Sequence, residues 1–193
     1  MQFSTQPQNV SKTYDGTESI LTAVLSNTAG TAAYQWYKNG SAISGADGTS
    51  YIVKNVSDSG RYSVSASVTV DGETLTESSN TAEVNITKAS LNIKANDISI
   101  TYGDAAPEYT VSFSGFKGSD TSESAFKGTG TVSCDYGSSG KMHYGTYSII
   151  PERYTAADYD ITYTAGILTV GAKDVKNDSS VIVTLSYDTA VYT

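Results

Sequence analysis

The stretch Tyr34-Gln35-Trp36-Tyr37-Lys38-Asn39-Gly40 decides the fold of the first half of this chain, and it holds the only tryptophan among 193 residues. Apolar and polar residues alternate through it, as on a strand with one buried face, which turns Trp36 inward and Tyr37 outward. Asn39-Gly40 then closes the strand, because Asn-Gly tolerates the positive φ angles that tight hairpins demand. Working outward, Leu21-Thr22-Ala23-Val24-Leu25 places Ala23 thirteen residues before Trp36, and Val64 follows it by twenty-eight, two beyond Tyr62. Asp58-Ser59-Gly60-Arg61-Tyr62 leads into Tyr62, Val64, Ala66, Val68 and Val70, whose strict alternation predicts a long strand.

This order and spacing resembles an immunoglobulin-like domain. In that family a strand-C tryptophan packs on a disulfide joining strands B and F, and a "tyrosine corner" precedes the second cysteine by two residues. The resemblance carries these roles to Trp36, Ala23, Val64 and Tyr62, and Asp58-x-Gly60-x-Tyr62 matches the family's D-x-G-x-Y. It spans Gln6 to Lys88. Here small apolar residues occupy both cysteine positions, so the about 2–4 kcal/mol that such a bridge contributes is missing. Packing of Leu21, Ala23, Leu25, Trp36, Val53, Val64 and Val68 has to replace it. Disulfide-free domains of this kind are frequent in bacterial surface proteins, so the resemblance implies a bacterial source. Strands are expected at 19–25 (B), 32–38 (C), 51–53 (E), from Tyr62 onward (F), and through Ala82, Val84 and Ile86. Residues 1–18 read as a polar approach with a turn at Tyr14-Asp15-Gly16.

Fifteen tyrosines, seventeen glycines, only three prolines and no long amphipathic helical pattern argue for an all-β protein of one or two domains. Net charge is −8 and the pI about 4.5. The acidic residues form no run, and no basic groove is available for phosphates, which excludes nucleic acid and direct contact with an anionic membrane. Cys134 is the single cysteine, so no internal disulfide can form; its alternation with Val132 and Tyr136 faces it inward as a small core residue. No stretch reaches the roughly 20 apolar residues of a transmembrane helix. Met1-Gln2-Phe3-Ser4 lacks the parts of a signal peptide, and the chain reads as a piece of a longer exported protein.

The second half begins near Ala89. Leu91, Ile93 and Ala95 alternate, then Ile98, Ile100 and Tyr102, then Tyr109, Val111 and Phe113. Four segments stand out in order: Tyr102-Gly103-Asp104, Gly115-Phe116-Lys117-Gly118-Ser119-Asp120, Gly145-Thr146-Tyr147-Ser148-Ile149, and Tyr159-Asp160-Ile161-Thr162-Tyr163 leading to Gly166-Ile167-Leu168-Thr169-Val170. Together, across Ser90 to Val170, they resemble the MBG repeat domain of bacterial surface proteins and adhesins. Its marks are a Tyr-Gly-Asp turn, "SGF…GD", "GTY.I" and a closing "Y.ITY..G.LTV". The resemblance implies a stalk or presentation module. One short element is expected at Asp120–Phe126, either a helix capped by Asp120 with Glu123 as its capping-box partner or a single turn. Residues 172–193 carry strand-like alternation at Val181, Val183, Leu185 and Tyr187 and read as the truncated start of a further module.

Chemistry is sparse. His143 and Cys134 are one of each kind with no third group marked, which is not a catalytic constellation. A zinc site lacks ligands. Asp58, Asp71, Asp104, Asp120, Asp158 and Asp160 lie near turns where calcium takes oxygen donors, yet turn chemistry itself selects aspartate. Tyr37 and Tyr144 are the candidate ligand-contacting aromatics, with cross-strand stabilisation as the competing role.

The chain is therefore read as two all-β modules. Residues 1–88 form an immunoglobulin-like β-sandwich, residues 89–171 an MBG-like unit with at most one short helix, and 172–193 a fragment of the next. No catalytic, metal or cofactor site is assigned. The expected role is a spacer on an exported, extracellular cell-surface protein, whose partners are neighbouring domains of the parent chain. The alternative is an adhesin module that binds a host glycan or protein. Val84 to Leu91 contains no glycine or proline, which predicts a stiff junction, an elongated particle and no deep pocket between the modules.

Overall fold

The computed structural model describes residues 1–26, 30–137 and 143–173. The expected extra strand within 174–193 lies outside the described residues. The first half holds β1 (Gln2–Thr5), β2 (Val10–Thr13), β3 (Ser19–Thr22), β4 (Val24–Ser26), β5 (Ala32–Lys38), β6 (Ser41–Ala42), β7 (Ser50–Val53), a 3-10 turn at Val56–Asp58, β8 (Gly60–Val70), β9 (Glu73–Ser78) and β10 (Ala82–Thr87). The second holds β11 (Ala89–Ala95), β12 (Ile98–Thr101), β13 (Val111–Ser114), α1 (Ser122–Ala125), β14 (Thr131–Cys134), β15 (Gly145–Glu152), β16 (Tyr159–Thr164) and β17 (Gly166–Gly171). The protein is all-β, with one short helix among the described residues.

In the first half the large sheet runs β2-β10-β8-β5-β6, with β9 on the far part of β8, and two-stranded sheets β1-β4 and β3-β7 complete the sandwich. β2 lies parallel to β10; the other pairings are antiparallel. Asn39 (φ 52°) and Gly40 (φ 82°) turn β5 into β6, and Asp71 (φ 50°) and Gly72 (φ 84°) turn β8 into β9. These are the left-handed angles that two-residue hairpins require.

Two local expectations are corrected. Residues 1–18 are not a plain polar approach, since β1 and β2 lie there; β2 is an edge strand whose residues are at most half-buried, so its sequence carries little apolar signal. Strand B is not continuous over 19–25. It breaks at Ala23, whose N–H donates to Thr49 O at 2.8 Å, so that β3 pairs with β7 and β4 with β1.

In the second half, β13-β11-β16 and β12-β17-β15-β14 form two sheets. β11 and β16 are parallel, as are β12 and β17. No sheet among the described residues mixes strands from before and after Lys88. The buried core does not divide in the same way. The cluster holding Leu21, Trp36, Val64 and Ile86 continues through Ala89, Leu91 and Tyr159, while Ala95, Tyr136, Ile149, Leu168 and Val170 form a second cluster farther on.

Candidate functional site at the junction of the two halves

Lys88 alone separates β10 from β11. Inward residues fall at Ala82, Val84 and Ile86 before it and at Ala89, Leu91 and Ile93 after it, so Lys88 shifts the alternation by one residue. The backbone stays engaged throughout. Tyr14 N–H donates to Thr87 O at 2.8 Å, and Ala89 N–H donates to Asp158 O at 3.0 Å. Lys88 Nζ reaches Asp160 at 3.8 Å, an exposed pair that adds little.

Around this link, residues far apart in sequence converge. The hydroxyls of Tyr14 and Tyr159 both donate to Asp120 Oδ2, at 2.9 and 2.5 Å. The two rings meet edge to face at 5.5 Å, and Tyr159 packs at 5.9 Å against Phe116. Tyr14 and Tyr159 are 4% and 2% exposed, so both side chains are buried. Tyr159 Oη also accepts from Lys117 N–H at 2.8 Å. Burial, followed by the Asp120 hydrogen bond, raises both phenols, Tyr159 to about 12 and Tyr14 higher still. Beside them Asp158 Oδ1 accepts from Val56 N–H at 2.7 Å, tying the 3-10 turn of the first half to the second.

The backbones also touch. A Cβ on Gly16 (φ 75°) would lie 2.8 Å from Gly118 Cα, and one on Gly118 (φ 57°) would lie 3.1 Å from Gly16 Cα. Only residues without side chains allow that approach. No deep pocket was expected between the halves, and the concavity that lies there is open to solvent. An open cleft of about 410 Å³ flanks the contact, lined by Lys54, Asn55 and Ser57 on one side and Ser124, Lys127 and Asp158 on the other. Tyr14, Asp120 and Tyr159 form part of its wall.

Asp120 was expected to cap a helix with Glu123. The cap is Thr121, whose side chain accepts from Ser124 N–H while Ser124 Oγ accepts from Thr121 N–H. Two buried hydroxyls claim the Asp120 carboxylate, and the run Asp120-Thr121-Ser122 supplies another cap one residue on.

The residues singled out from the sequence fall as follows. Trp36 is fully buried and opposite Val64 on the β5–β8 ladder; its Nε1 donates to Gly48 O at 2.9 Å. Ala23 shares that core, also fully buried. Tyr62 Oη donates to Asp58 O at 2.7 Å, while Asp58 Oδ2 accepts from Lys54 and Asn55 N–H at 2.8 Å each. Tyr37 is half-buried, opposite Ala42 and Ser63. Tyr144 is 76% exposed. The structure does not bring Tyr37 and Tyr144 into a shared cleft. Cys134 is half-buried against the second cluster. Among the described residues no three His, Cys, Asp or Glu side chains gather as metal ligands. Several turn aspartates are committed to backbone N–H groups, as Asp104 is to Thr101 N–H.

Sequence reasoning missed the pairing of Tyr14 with Asp120, 106 residues away. The available signal was the segment from Phe116 to Asp120, read as a family mark and given no partner.

A second concavity, about 530 Å³, lies beside α1, lined by Phe113, Phe126, Tyr154, Ser122, Glu123 and Thr129. Its rings sit 5.1–5.9 Å apart and spend much of their surface on each other.

Residues 91–169 match the family model described as "MBG domain (YGX type)", which contains all but the last residue of the four segments singled out above. No curated protein matches the chain. Among solved structures, immunoglobulin domains 1–5 of Sidekick-1 align at 13% identity over 88% of this chain and 38% of that one, with a TM-score of 0.37. The fibronectin(III)-like modules of Clostridium thermocellum CbhA align at 17% identity over 89% and 94%, with a TM-score of 0.30. The insect immune protein hemolin aligns at 11% over 88% and 46%, with a TM-score of 0.37. The chain thus spans less than half of the Sidekick-1 and hemolin structures.

Proposed function

We propose that this chain is a non-enzymatic structural spacer from an exported bacterial cell-surface protein. Modules 1–88 and 89–171 act as one stiff segment that presents other domains of the parent chain. The observation behind this reading is the junction: one residue outside the strands, an apolar core that runs across it, and the Tyr14–Asp120–Tyr159 cluster. A Gly/Ser-rich linker behaves as a coil and lets modules swing. Here swinging would break the hydrogen bonds of Tyr14 to Asp120 and of Val56 N–H to Asp158 and expose Tyr14, Tyr159 and Leu91. A spacer works by holding its ends at a set separation, and buried interdomain contacts supply that. Its partners are the neighbouring domains. The acidic charge leaves nucleic acid and the membrane surface without a docking patch.

The distribution of distances between labels in the two modules tests this. A narrow distribution supports a spacer, and a broad one removes it.

The alternative, a carbohydrate- or protein-binding adhesin module, draws its support from the aromatic groove beside α1 instead of from Tyr37 or Tyr144. A glycan array probed with the protein and with Tyr154→Ala separates the two readings. Binding lost in the variant favours the adhesin.

A further inference from the structure

Tyr14 and Tyr102 occupy equivalent places in the two halves. β2 runs parallel to β10, the last strand of the first half, in a register that ends at Thr13 opposite Thr87. Tyr14 N–H then donates to Thr87 O at 2.8 Å. β12 runs parallel to β17, the last described strand of the second half, in a register that ends at Thr101 opposite Gly171. Tyr102 N–H donates to Gly171 O, also at 2.8 Å. Each tyrosine enters a turn with a left-handed glycine, Gly16 (φ 75°) or Gly103 (φ 94°). In each turn an aspartate carboxylate accepts a nearby backbone N–H, Asp15 from Thr17 and Asp104 from Thr101.

Their surroundings differ. Tyr14 is 4% exposed, bonded to Asp120, with Gly16 against Gly118. Tyr102 is 45% exposed, and among the described residues no hydrogen bond engages its hydroxyl. A Cβ on Gly103 would meet nothing within 4 Å. Among the described residues the same local device is thus filled at one pole and open at the other.

We infer that the Tyr102–Gly103 turn is a docking surface for a following unit of the same kind as residues 89–171. Such a unit brings the chemistry that already fills the Tyr14 turn. Its Asp120 carboxylate accepts the phenol, its Tyr159 packs edge-on to the ring, and its Gly118 admits close backbone contact. The glycine comes one residue earlier in Tyr102-Gly103-Asp104 than in Tyr14-Asp15-Gly16, so the backbone contact moves one position along the turn. This inference rests on the reading of the Tyr14–Asp120–Tyr159 cluster as a clasp.

The test joins a second copy of residues 89–171 after Ala172, which reproduces the one-residue spacing that Lys88 provides. Spin-label distances are measured across both junctions, and hydroxyl-radical footprinting reads the oxidation of Tyr102. The expected result is a narrow distribution at each junction and several-fold protection of Tyr102 relative to the parent chain. Tyr102→Phe in the joined protein should broaden the second junction alone. In the parent chain it should leave the unfolding midpoint unchanged. A narrow first junction with a broad second one, an unprotected Tyr102, or a second junction indifferent to Tyr102→Phe overturns the inference and leaves the spacer reading intact. Broad distributions at both junctions overturn both.

Discussion

Replacing Asp120 by alanine should uncouple the two halves. The carboxylate accepts from Tyr14 and Tyr159 at 2.9 and 2.5 Å, and both phenols are buried. Without it, the Tyr14 hydroxyl has no other partner among the described residues, and an unsatisfied buried donor costs about 1–3 kcal/mol. Tyr159 loses a bond to a charged acceptor, worth about 1.5–3 kcal/mol, but still accepts from Lys117 N–H. The sum is roughly 2.5–6 kcal/mol for Asp120→Ala. Asp120→Asn keeps an acceptor oxygen in place and should cost about 1 kcal/mol. Urea unfolding followed by Trp36 fluorescence reports on the first half, and far-UV circular dichroism reports on the whole. The two transitions should coincide in the parent chain and separate in Asp120→Ala. A loss below about 0.5 kcal/mol, a value typical of surface substitutions, with transitions still coincident would refute the reasoning.

Gly16→Ala should cost about 1–2 kcal/mol from its left-handed backbone alone and should also widen the interdomain distance distribution, since its Cβ would meet Gly118 backbone. Gly72→Ala (φ 84°), with nothing within 4 Å, should carry the backbone cost and leave the distances unchanged. Tyr62→Phe should lower stability by about 1 kcal/mol in denaturant unfolding, because Asp58 O loses its buried partner. Alkaline pH should also weaken the fold. Tyr159 holds its proton up to about 12 when folded, against an ordinary 10. Its contribution is therefore complete below pH 10 and lost as pH climbs toward 12. Thermal unfolding midpoints should fall across that window, less steeply in Tyr159→Phe.

The sandwich could be read from sequence because its signals are local. Trp36 and Asn39-Gly40 sit within five residues, and the strand through Val64 and Val68 alternates without interruption. Such patterns survive because one strand face is buried whatever it packs against. The MBG-type segments were equally legible, since a family mark needs no partner to be recognised. The junction was not. Tyr14 and Asp120 each have an adequate local explanation, a turn and a helix cap, and local rules give no reason to look 106 residues away. Asp120-Thr121-Ser122 offers three residues able to cap, so the cap could move while the carboxylate went to the tyrosines. β2 was missed because it adds to the edge of the large sheet and none of its residues is fully buried. Tyr37 was raised on its outward place beside Trp36 and Tyr144 on its place beside His143 in a Gly/Ser-rich loop, and neither position says whether a ring faces a groove.

The central claim is that the two halves hold a fixed relation through their shared junction. Double electron–electron resonance between labels at Ser44 and Thr169, both exposed, in a Cys134→Ala background measures it directly. The account predicts a single narrow distance peak that broadens in Asp120→Ala and in Gly16→Ala. A broad or multiple distribution in the otherwise unaltered protein would contradict it.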